Sequence, residues 1–325
     1  MTVLVVGGAG YVGSHAVRAL VAAGTRVVVL DDLSTGHRRL VPAGVPLHVG
    51  GLEDRERMAQ LLAAERVRAV VHCAACSLVA ESETNPRKYF ERNCGGVLAL
   101  TGAMLDAGVT DLVLSSSAAV YGEADVAVLD ESQPRRPTSV YGVTKAFAED
   151  VLTAYRAHGL RSVALRYFNA AGADPSGEIG EHHRHETHLL PIVLDAVLGF
   201  RDAVTLFGTD YATRDGTCLR DYVHVSDLAD AHVRAIDHLG RGGESIQLDL
   251  GSTTGTTVRE VIAAVEAVTG KRVPVRAGDR RAGDPARLVT SARRAEQVLG
   301  WRAQRPDIHT IVEDAWRWHR RLRAG

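Results

Sequence analysis

From residue 3 to about residue 168, short apolar runs alternate with segments whose apolar residues recur at helical spacing. The runs are Val3–Val6, Val27–Leu30, Val67–Val71, Leu112–Leu114 and Ser162–Leu165. Between the first two, Val12, Ala16, Val17, Leu20 and Val21 share one helical face, and Gly24 supplies a C-terminal stop. Unbroken apolar strands are buried on both faces, and strands that alternate with helices form parallel sheets covered on both sides. The pattern predicts a doubly wound parallel α/β sheet.

Beyond about residue 168, loops rich in Gly, Pro, Asp and His break the pattern. Helical periodicity returns at Leu190–Leu198, at Val225–Ile236, at Val258, Val261, Ile262, Val265 and Val268, and at Ile308, Ile311, Val312, Ala315 and Trp316. Ile246–Leu250 reads as one more strand. A strand that returns so late predicts two interleaved units rather than two in succession. The larger is expected at 1–168 together with 223–251, and the smaller at 169–222 together with 252–325. No internal repeat or low-complexity tract interrupts this plan.

Composition narrows the function classes. Of 325 residues, 46% are hydrophobic and 24% charged, the balance of an ordinary globular chain. A formal net charge of -1 gives no general field toward nucleic acid or an anionic membrane, so neither is an expected partner. An anionic substrate would have to be held by local arginines. No stretch approaches the roughly 18 apolar residues of a membrane helix. Met1 and Thr2 lead straight into the first strand, without the layout of a secretory leader. Four scattered cysteines, Cys73, Cys76, Cys94 and Cys218, do not make a disulfide framework, and a cytoplasmic location is expected. The basic end, Arg317 to Arg323, reads as a solvated helix C-terminus complementing its dipole.

Candidate chemistry begins at Gly7-Gly8-Ala9-Gly10-Tyr11-Val12-Gly13, which joins the first strand to the first helix. Glycine lets a backbone turn tightly and approach a pyrophosphate, whose charge then sits on the helix N-terminus. Asp31, at the end of the second strand, is placed to hydrogen-bond an adenosine ribose and would repel a 2′-phosphate, which favours NAD over NADP. Further on, Tyr141 and Lys145 stand four apart at the start of a predicted helix and share one face. Ser117 follows the strand Leu112–Leu114, at the carboxyl edge where such sheets bind ligands. A hydroxyl that is oxidised loses a proton as its hydride departs, and a phenolate can accept it. Bringing tyrosine from a pKa near 10 to about 7 takes on the order of 4 kcal/mol. One ammonium a few ångströms away, at an effective dielectric of about 20, supplies that order of energy.

These residues resemble the extended short-chain dehydrogenase/reductase superfamily, and closely its UDP-galactose (UDP-glucose) 4-epimerases, over essentially the whole chain. Besides the glycine turn, the markers are Asp31-Asp32-Leu33-Ser34, Ser115–Gly122, Tyr141-Gly142-Val143-Thr144-Lys145, Arg166-Tyr167-Phe168-Asn169, Phe207–Tyr211, Asp215–Val225 and Arg281–Asp284. The resemblance implies a Rossmann domain with a smaller C-terminal substrate domain, and NAD as a resident cofactor. It implies Tyr141 as acid/base, Lys145 tuning it and holding the nicotinamide ribose, and Ser117 bonding the sugar hydroxyl. The cofactor residues implied are Gly7, Gly10, Tyr11, Val12 and Gly13, then Asp31, Asp32, Leu33, Ser34, Thr35 and Gly36. Leu52, Cys73, Ala74, Ala75, Ser77, Asn93, Ser115 and Phe168 complete that set, together with Tyr141 and Lys145. For the UDP-sugar it implies Asn169, His188, Leu189, Thr205, Phe207, Arg220, Arg281 and Asp284, besides Ser117 and Tyr141. A guanidinium fork at Arg220 and Arg281 suits a diphosphate. Leu288, or Arg287 if the loop shifts by one, matches a gate whose size sets whether an N-acetyl group is admitted at C2. The helix of Val97, Leu98, Leu100, Thr101, Met104 and Leu105 and the one after Tyr141 resemble the family's dimer-forming pair, implying a homodimer.

Related dehydratases and decarboxylases carry an acidic residue just after the active-site Ser or Thr, because elimination across C5–C6 needs a proton carrier there. Here those positions are Ala118 and Ala119. The implied reaction is therefore inversion at C4 of UDP-glucose or UDP-galactose through a 4-keto intermediate. UDP-glucuronate and UDP-N-acetylglucosamine are the alternative substrates, and a non-catalytic NAD-binding regulator is the alternative of another class. Gly51, Ser77 and Gly95 depart from residues common in the family, an aspartate, a lysine and an asparagine. Cys73-Ala74-Ala75-Cys76 has redox-motif spacing but no second pair to complete a zinc site, and it is expected to line the NAD pocket. The cluster His182, His183, His185 and His188 lacks the spacing that aligns two histidines on a helix for zinc, and no metal is expected. With Arg184 it is the candidate contact for a substrate carboxylate.

Overall fold

The structure is a computed structural model that describes residues 1–123, 126–184, 186–281 and 285–324. Its first half contains β1 (Thr2–Val6), α1 (Tyr11–Ala22), β2 (Arg26–Asp31), β3 (Leu47–Val49), α2 (Arg55–Ala64) and β4 (Val67–His72). Next come α3 (Val79–Thr84), α4 (Pro86–Tyr89), a π-helical turn at Phe90–Gly95, α5 (Gly96–Asp106), β5 (Asp111–Ser115), α6 (Val140–Ala154) and β6 (Arg161–Arg166). The second half contains β7 (Asn169–Ala171), α7 (Leu189–Leu198), β8 (Val204–Phe207), β9 (Leu219–Arg220), β10 (Tyr222–His224), α8 (Val225–Gly240) and β11 (Ile246–Asp249). It closes with β12 (Thr256–Thr257), α9 (Val258–Thr269), β13 (Val275–Gly278), β14 (Arg287–Leu288), α10 (Arg293–Leu299) and α11 (Ile308–Ala324).

Seven parallel strands form the main sheet in the order β11-β6-β5-β4-β1-β2-β3. This is the doubly wound order, with β11 added beyond β6. Side chains alternate across the pleat into two apolar layers. Val3, Val5, Val29, Val71, Val113 and Val163 meet Val17 and Leu20 of α1 and Leu228, Ala231 and Leu239 of α8. On the other side Leu4, Val28, Val70 and Leu112 meet Met58, Leu100, Met104 and Leu152 from α2, α5 and α6. Chain reversal after α1 follows the expected stop: Gly24 takes φ +77, and the amides of Gly24 and Thr25 bond to Val21 and Leu20 carbonyls.

The late strand belongs to the sheet as the pattern predicts, with Ile246 opposite Val163 and Asp249 opposite Arg166. A separate core joins α7, α9 and α11 through Val193, Leu194, Val261, Val265, Ile311 and Val312. Ala295, Leu299 and Trp301, near the C-terminus, pack into the first layer of the main sheet, and the Trp301 indole donates to the Asp227 carbonyl at 2.9 Å. The strands that the pattern did not reveal are short: β3 is a three-residue edge strand, and β9, β12 and β14 have two residues each. Among the described residues, no helix is long and apolar enough to cross a membrane.

Candidate active site

Register places the carboxyl ends of the central strands side by side. Val6 lies opposite both Leu30 and His72, His72 opposite Leu114, and Ser115 opposite Leu165. Gly7, Asp31, Cys73, Ser115 and Arg166 therefore form one row at the sheet's binding edge.

The glycine turn opens this row. Gly7 has φ +81, and a Cβ there would stand 2.5 Å from the Ala74 nitrogen. A Cβ at Gly13 would stand 2.0 Å from the Gly7 carbonyl oxygen. Only glycine lets the turn fold back this closely. Gly10 is the N-cap of α1 and no side chain caps it, so Tyr11 and Val12 begin a helix whose positive end faces the crevice. Uncapped helix, tight turn and acidic ribose partner fit the pyrophosphate and ribose of NAD. The Asp31 carboxylate accepts from the Ala9 and Leu33 amides, both at 2.9 Å, and burial pushes its pKa up while those amides oppose the shift. A Cβ at Gly36 would lie 2.7 Å from Asp31 Oδ1, so the loop through Ser34 and Thr35 closes over that carboxylate. Leu33 holds φ 56, and Asp32 accepts from the Ser34 amide and from Arg92.

Across the crevice, the Cys73 and Ala74 amides both donate to the Val6 carbonyl. The Asn93 amide side chain, presented by the π turn, accepts from the Cys76 amide at 2.8 Å. It donates to the Cys76 carbonyl and Thr144 Oγ1, each at 3.0 Å. Asn93 thus fastens Cys73–Ala75 to the catalytic helix, while Ser77 lies exposed just beyond. Leu52 packs at 3.1 Å from a Cβ built on Gly96. At Gly51, the space a side chain would fill is taken by the Glu53 carboxylate, 1.9 Å from an ideal Cβ, and Glu53 pairs with Arg92 at 2.7 Å.

Ser139 caps α6 by accepting from the Gly142 amide at 3.1 Å, and the first turns then present Tyr141 and Lys145 together. Lys145 Nζ lies 5.8 Å from the centre of the Tyr141 ring and donates to the Ser115 carbonyl at 2.8 Å. Burial pushes the Tyr141 phenol up to about 12, opposed by a hydrogen bond with Ser117. Burial brings the Lys145 ammonium down to about 8. Ser117 Oγ accepts from the Ala119 amide at 3.1 Å, and Ala118 beside it is fully buried. Phe168 packs against the buried cluster of Ala118, Val120 and Tyr121, on the chain leaving β6.

Three residues behind this group, His232, Glu149 and Asp249, were not among those singled out from the sequence. Ser115 Oγ meets His232 Nε2 at 2.7 Å, and His232 Nδ1 meets the Leu228 carbonyl at 2.7 Å. Burial holds His232 neutral, down to about 4, so Nδ1–H donates and Nε2 accepts the serine hydroxyl. Ser116 Oγ donates to Glu149 at 2.6 Å, and Arg166 grips both oxygens of Glu149 at 2.8 and 2.5 Å. Arg166 also donates to the Tyr121 hydroxyl, which donates in turn to Asp249, whose carboxyl burial pushes up to about 8. The signal for Glu149 was present: it extends the Tyr141–Lys145 face by one more turn.

The remaining residues singled out from the sequence lie in the second half of the chain. Thr205 and Phe207 share the exposed face of β8, and the Arg281 guanidinium lies 4.0 Å from the Phe207 ring centre. Leu288 of β14 stands opposite Arg220 of β9, half-buried, while exposed Arg287 donates to the Ala212 carbonyl. The Asn169 side chain donates to the Asp221 carbonyl at 2.8 Å. His188 is the N-cap of α7 and Leu189 its first residue. Asp284, expected among the substrate residues, lies outside the described residues, as does His185. His182 stacks on His37 at 3.9 Å, and His183 and His188 are paired with Glu181 and Glu186.

Residues 3–251 match the model of the NAD dependent epimerase/dehydratase family. A UDP-glucose 4-epimerase of Rhizobium meliloti (strain 1021) is 49% identical over 99% of this chain and 98% of its own length. The crystal structure of a UDP-glucose 4-epimerase superposes with a TM-score of 0.98 at 44% identity, covering 100% of this chain and 99% of the other. The UDP-glucose 4-epimerase of Stenotrophomonas maltophila, solved with bound NAD and formylated UDP-arabinopyranose, gives 0.96 at 41% identity over 100% of both chains. With the dinucleotide turn, the Ser117–Tyr141–Lys145 group and full-length likeness in agreement, the chain belongs to the NAD dependent epimerase/dehydratase family, with UDP-glucose 4-epimerases as its relatives from end to end.

Proposed function

We propose that the chain is an NAD-dependent 4-epimerase of UDP-hexoses that interconverts UDP-glucose and UDP-galactose. The observation that carries this reading is Tyr141, Lys145 and Ser117 grouped at the binding edge, with buried Ala118 and half-buried Ala119 where an elimination would need an acid. When bound, NAD supplies a reversible hydride acceptor. Tyr141 takes the proton of the sugar C4 hydroxyl and later returns it, Ser117 orients that oxygen, and Lys145 favours the phenolate. Arg220 and Arg281 hold the diphosphate while the sugar presents its other face, and Phe207, Thr205, Asn169 and Leu189 line the nucleotide side. Asp31, the glycine turn, the loop to Gly36, Cys73–Ala75 and Asn93 hold the cofactor.

The paired state of His183 and His188 speaks against UDP-glucuronate, because Glu181 and Glu186 would repel a substrate carboxylate. Leu288 is smaller than a tyrosine and flexible, so UDP-N-acetylglucosamine is expected to be a slower substrate. A side-by-side assay of UDP-glucose, UDP-galactose, UDP-N-acetylglucosamine and UDP-glucuronate, without net reduction of cofactor, tests the reading. UDP-glucose and UDP-galactose should turn over fastest, and preferred turnover of UDP-glucuronate overturns the substrate assignment. Leu288→Tyr should cut N-acetylglucosamine turnover relative to glucose by about tenfold or more, the scale of a steric group in a pocket. An unchanged ratio removes Leu288 as the gate.

We further read the chain as a cytoplasmic homodimer of two interleaved units, 1–168 with 223–251 and 169–222 with 252–325. The two separate apolar cores support the division, except that Ala295 and Leu299 of α10 and Trp301 pack against the core of the main sheet. None of the chain's four cysteines is in a disulfide, which suits a reducing compartment. Leu98 of α5 and Val143 of α6 are 43% and 39% exposed and suit a paired-helix interface. Light scattering should give twice the chain mass, and a monomer at high concentration contradicts the dimer.

A further inference from the structure

We propose that Glu181, His183, Glu186 and His188 form a structural site for a divalent cation of the zinc class, in the loop that leads into α7. One ligand atom from each of the four lies within 4.8 Å of all the others. His183 Nδ1 is 3.3 Å from an oxygen of Glu181 and 3.3 Å from one of Glu186. His188 Nδ1 is 2.8 and 3.0 Å from oxygens of the same two residues. Around a tetrahedral zinc with bonds of about 2.0–2.1 Å, neighbouring ligand atoms are spaced by roughly 3.3 Å. These nitrogen–oxygen separations are near that spacing, and the remaining pairs among the chosen atoms lie within 4.8 Å.

Charge gives an independent reason. The Glu181 and Glu186 side chains are only 7% and 10% exposed, and two neighbouring carboxylates out of water need two balancing positive charges. The two imidazole rings stand beside these carboxylates with their centres 5.1 Å apart. A single divalent ion between the four side chains balances both carboxylates at once. The donor set discriminates as well: two imidazole nitrogens with two carboxylates suit zinc, whereas calcium and magnesium take oxygen ligands and more of them. Glu186 is also held in place, since its Oε1 accepts from the Thr187 and His188 amides at 2.8 Å.

The absence of helical zinc spacing in His185-Glu186-Thr187-His188 does not bear on this site, because all four ligands come from an irregular loop that ends where α7 begins. His182 is turned away onto His37 and takes no part. Four protein ligands close the coordination shell, so the ion is a clip rather than a catalyst. It fixes the entry of α7, and with it Leu189.

The test is metal analysis of the untagged full-length protein, purified without chelator and, separately, stripped and reloaded with ZnCl2 or CoCl2. About one equivalent of zinc per chain is expected, and the cobalt form should show the visible absorption of a tetrahedral site. Glu181→Gln and His183→Ala, each with folding checked by circular dichroism, should lose the metal. Less than about a tenth of an equivalent after reloading, with no cobalt band, overturns the site and leaves two protonated histidines as the balance. Should either variant fail to fold, the wild-type metal count and cobalt spectrum decide alone. The outcome is independent of which UDP-sugar is turned over.

Discussion

Tyr141→Phe is expected to lower kcat by about 10³-fold or more while leaving the fold and cofactor affinity close to wild type, because a positioned acid/base group contributes on the order of 10²–10⁴. The substitution removes one oxygen. It leaves the ring against Lys145 and leaves the Tyr141 amide donating to Ser82 Oγ at 3.1 Å, so the N-terminus of α6 stays in place. In the proposed mechanism the phenol is the proton carrier grouped with Ser117 and Lys145, since Ala118 and Ala119 offer none. Steady-state kinetics with UDP-galactose, paired with NAD titration, separates the loss of chemistry from a loss of binding. Turnover within about threefold of wild type would remove Tyr141 from the mechanism.

Lys145→Met is expected to cost about 10²–10³ in kcat near neutral pH, and its distinguishing mark is the pH profile. Burial, opposed by the Ser117 hydrogen bond, leaves the Tyr141 phenol up at about 12, so a phenolate at neutral pH depends on positive charge nearby. Lys145 supplies that charge below its own pKa of about 8. Methionine keeps the buried stem and removes the ammonium, so the rising limb of the rate should move to higher pH and the deficit should shrink as alkali ionises Tyr141. A deficit constant across the pH range would assign Lys145 only to holding the Ser115 carbonyl. Stability carries a second mark. The pKa of Lys145 is depressed on folding from 10.5 to about 8, so between these values the unfolded chain binds more protons. Its contribution to stability therefore rises with pH across that window, and the variant should lack this rise.

The parts of the molecule that follow from local rules were legible in the chain. Unbroken runs such as Val27–Leu30 and Val67–Val71 marked the buried strands, because a parallel sheet covered on both sides leaves no polar face to alternate with. The Tyr141–Lys145 spacing marked a helix face, and Ile246–Leu250 marked the strand that returns to the sheet. What stayed hidden depends on distant pairing. His232 and Ser115 are 117 positions apart, and Tyr121 and Asp249 are 128 apart. No periodicity links them, and a buried histidine in α8 reads simply as part of an amphipathic helix. The glutamates of the loop before α7 were hidden for another reason. Attention to histidine spacing on a helix obscures four ligands brought together by irregular backbone. The substrate residues proposed above rest on resemblance more than on physics: nothing in their spacing announces that β9 and β14 set Arg220 opposite Leu288.

The place of β11 in the sheet bears on how the chain is made. The Ser162 amide donates to Ser245 Oγ, 83 positions further along, and β6 keeps an open edge until that segment arrives. At synthesis rates of about 5–20 residues per second, the wait lasts roughly 4–17 seconds. Through that interval the face that α8 will cover, including Val163 and Leu165, is exposed, and Trp301 comes later still. The nascent domain therefore passes through a stage with both an unpaired strand edge and bare apolar surface, the condition under which chains associate wrongly and under which chaperones bind. Because the last strand of the sheet ends only at Asp249, a product truncated before β11 lacks a finished sheet as well as the segments that follow it.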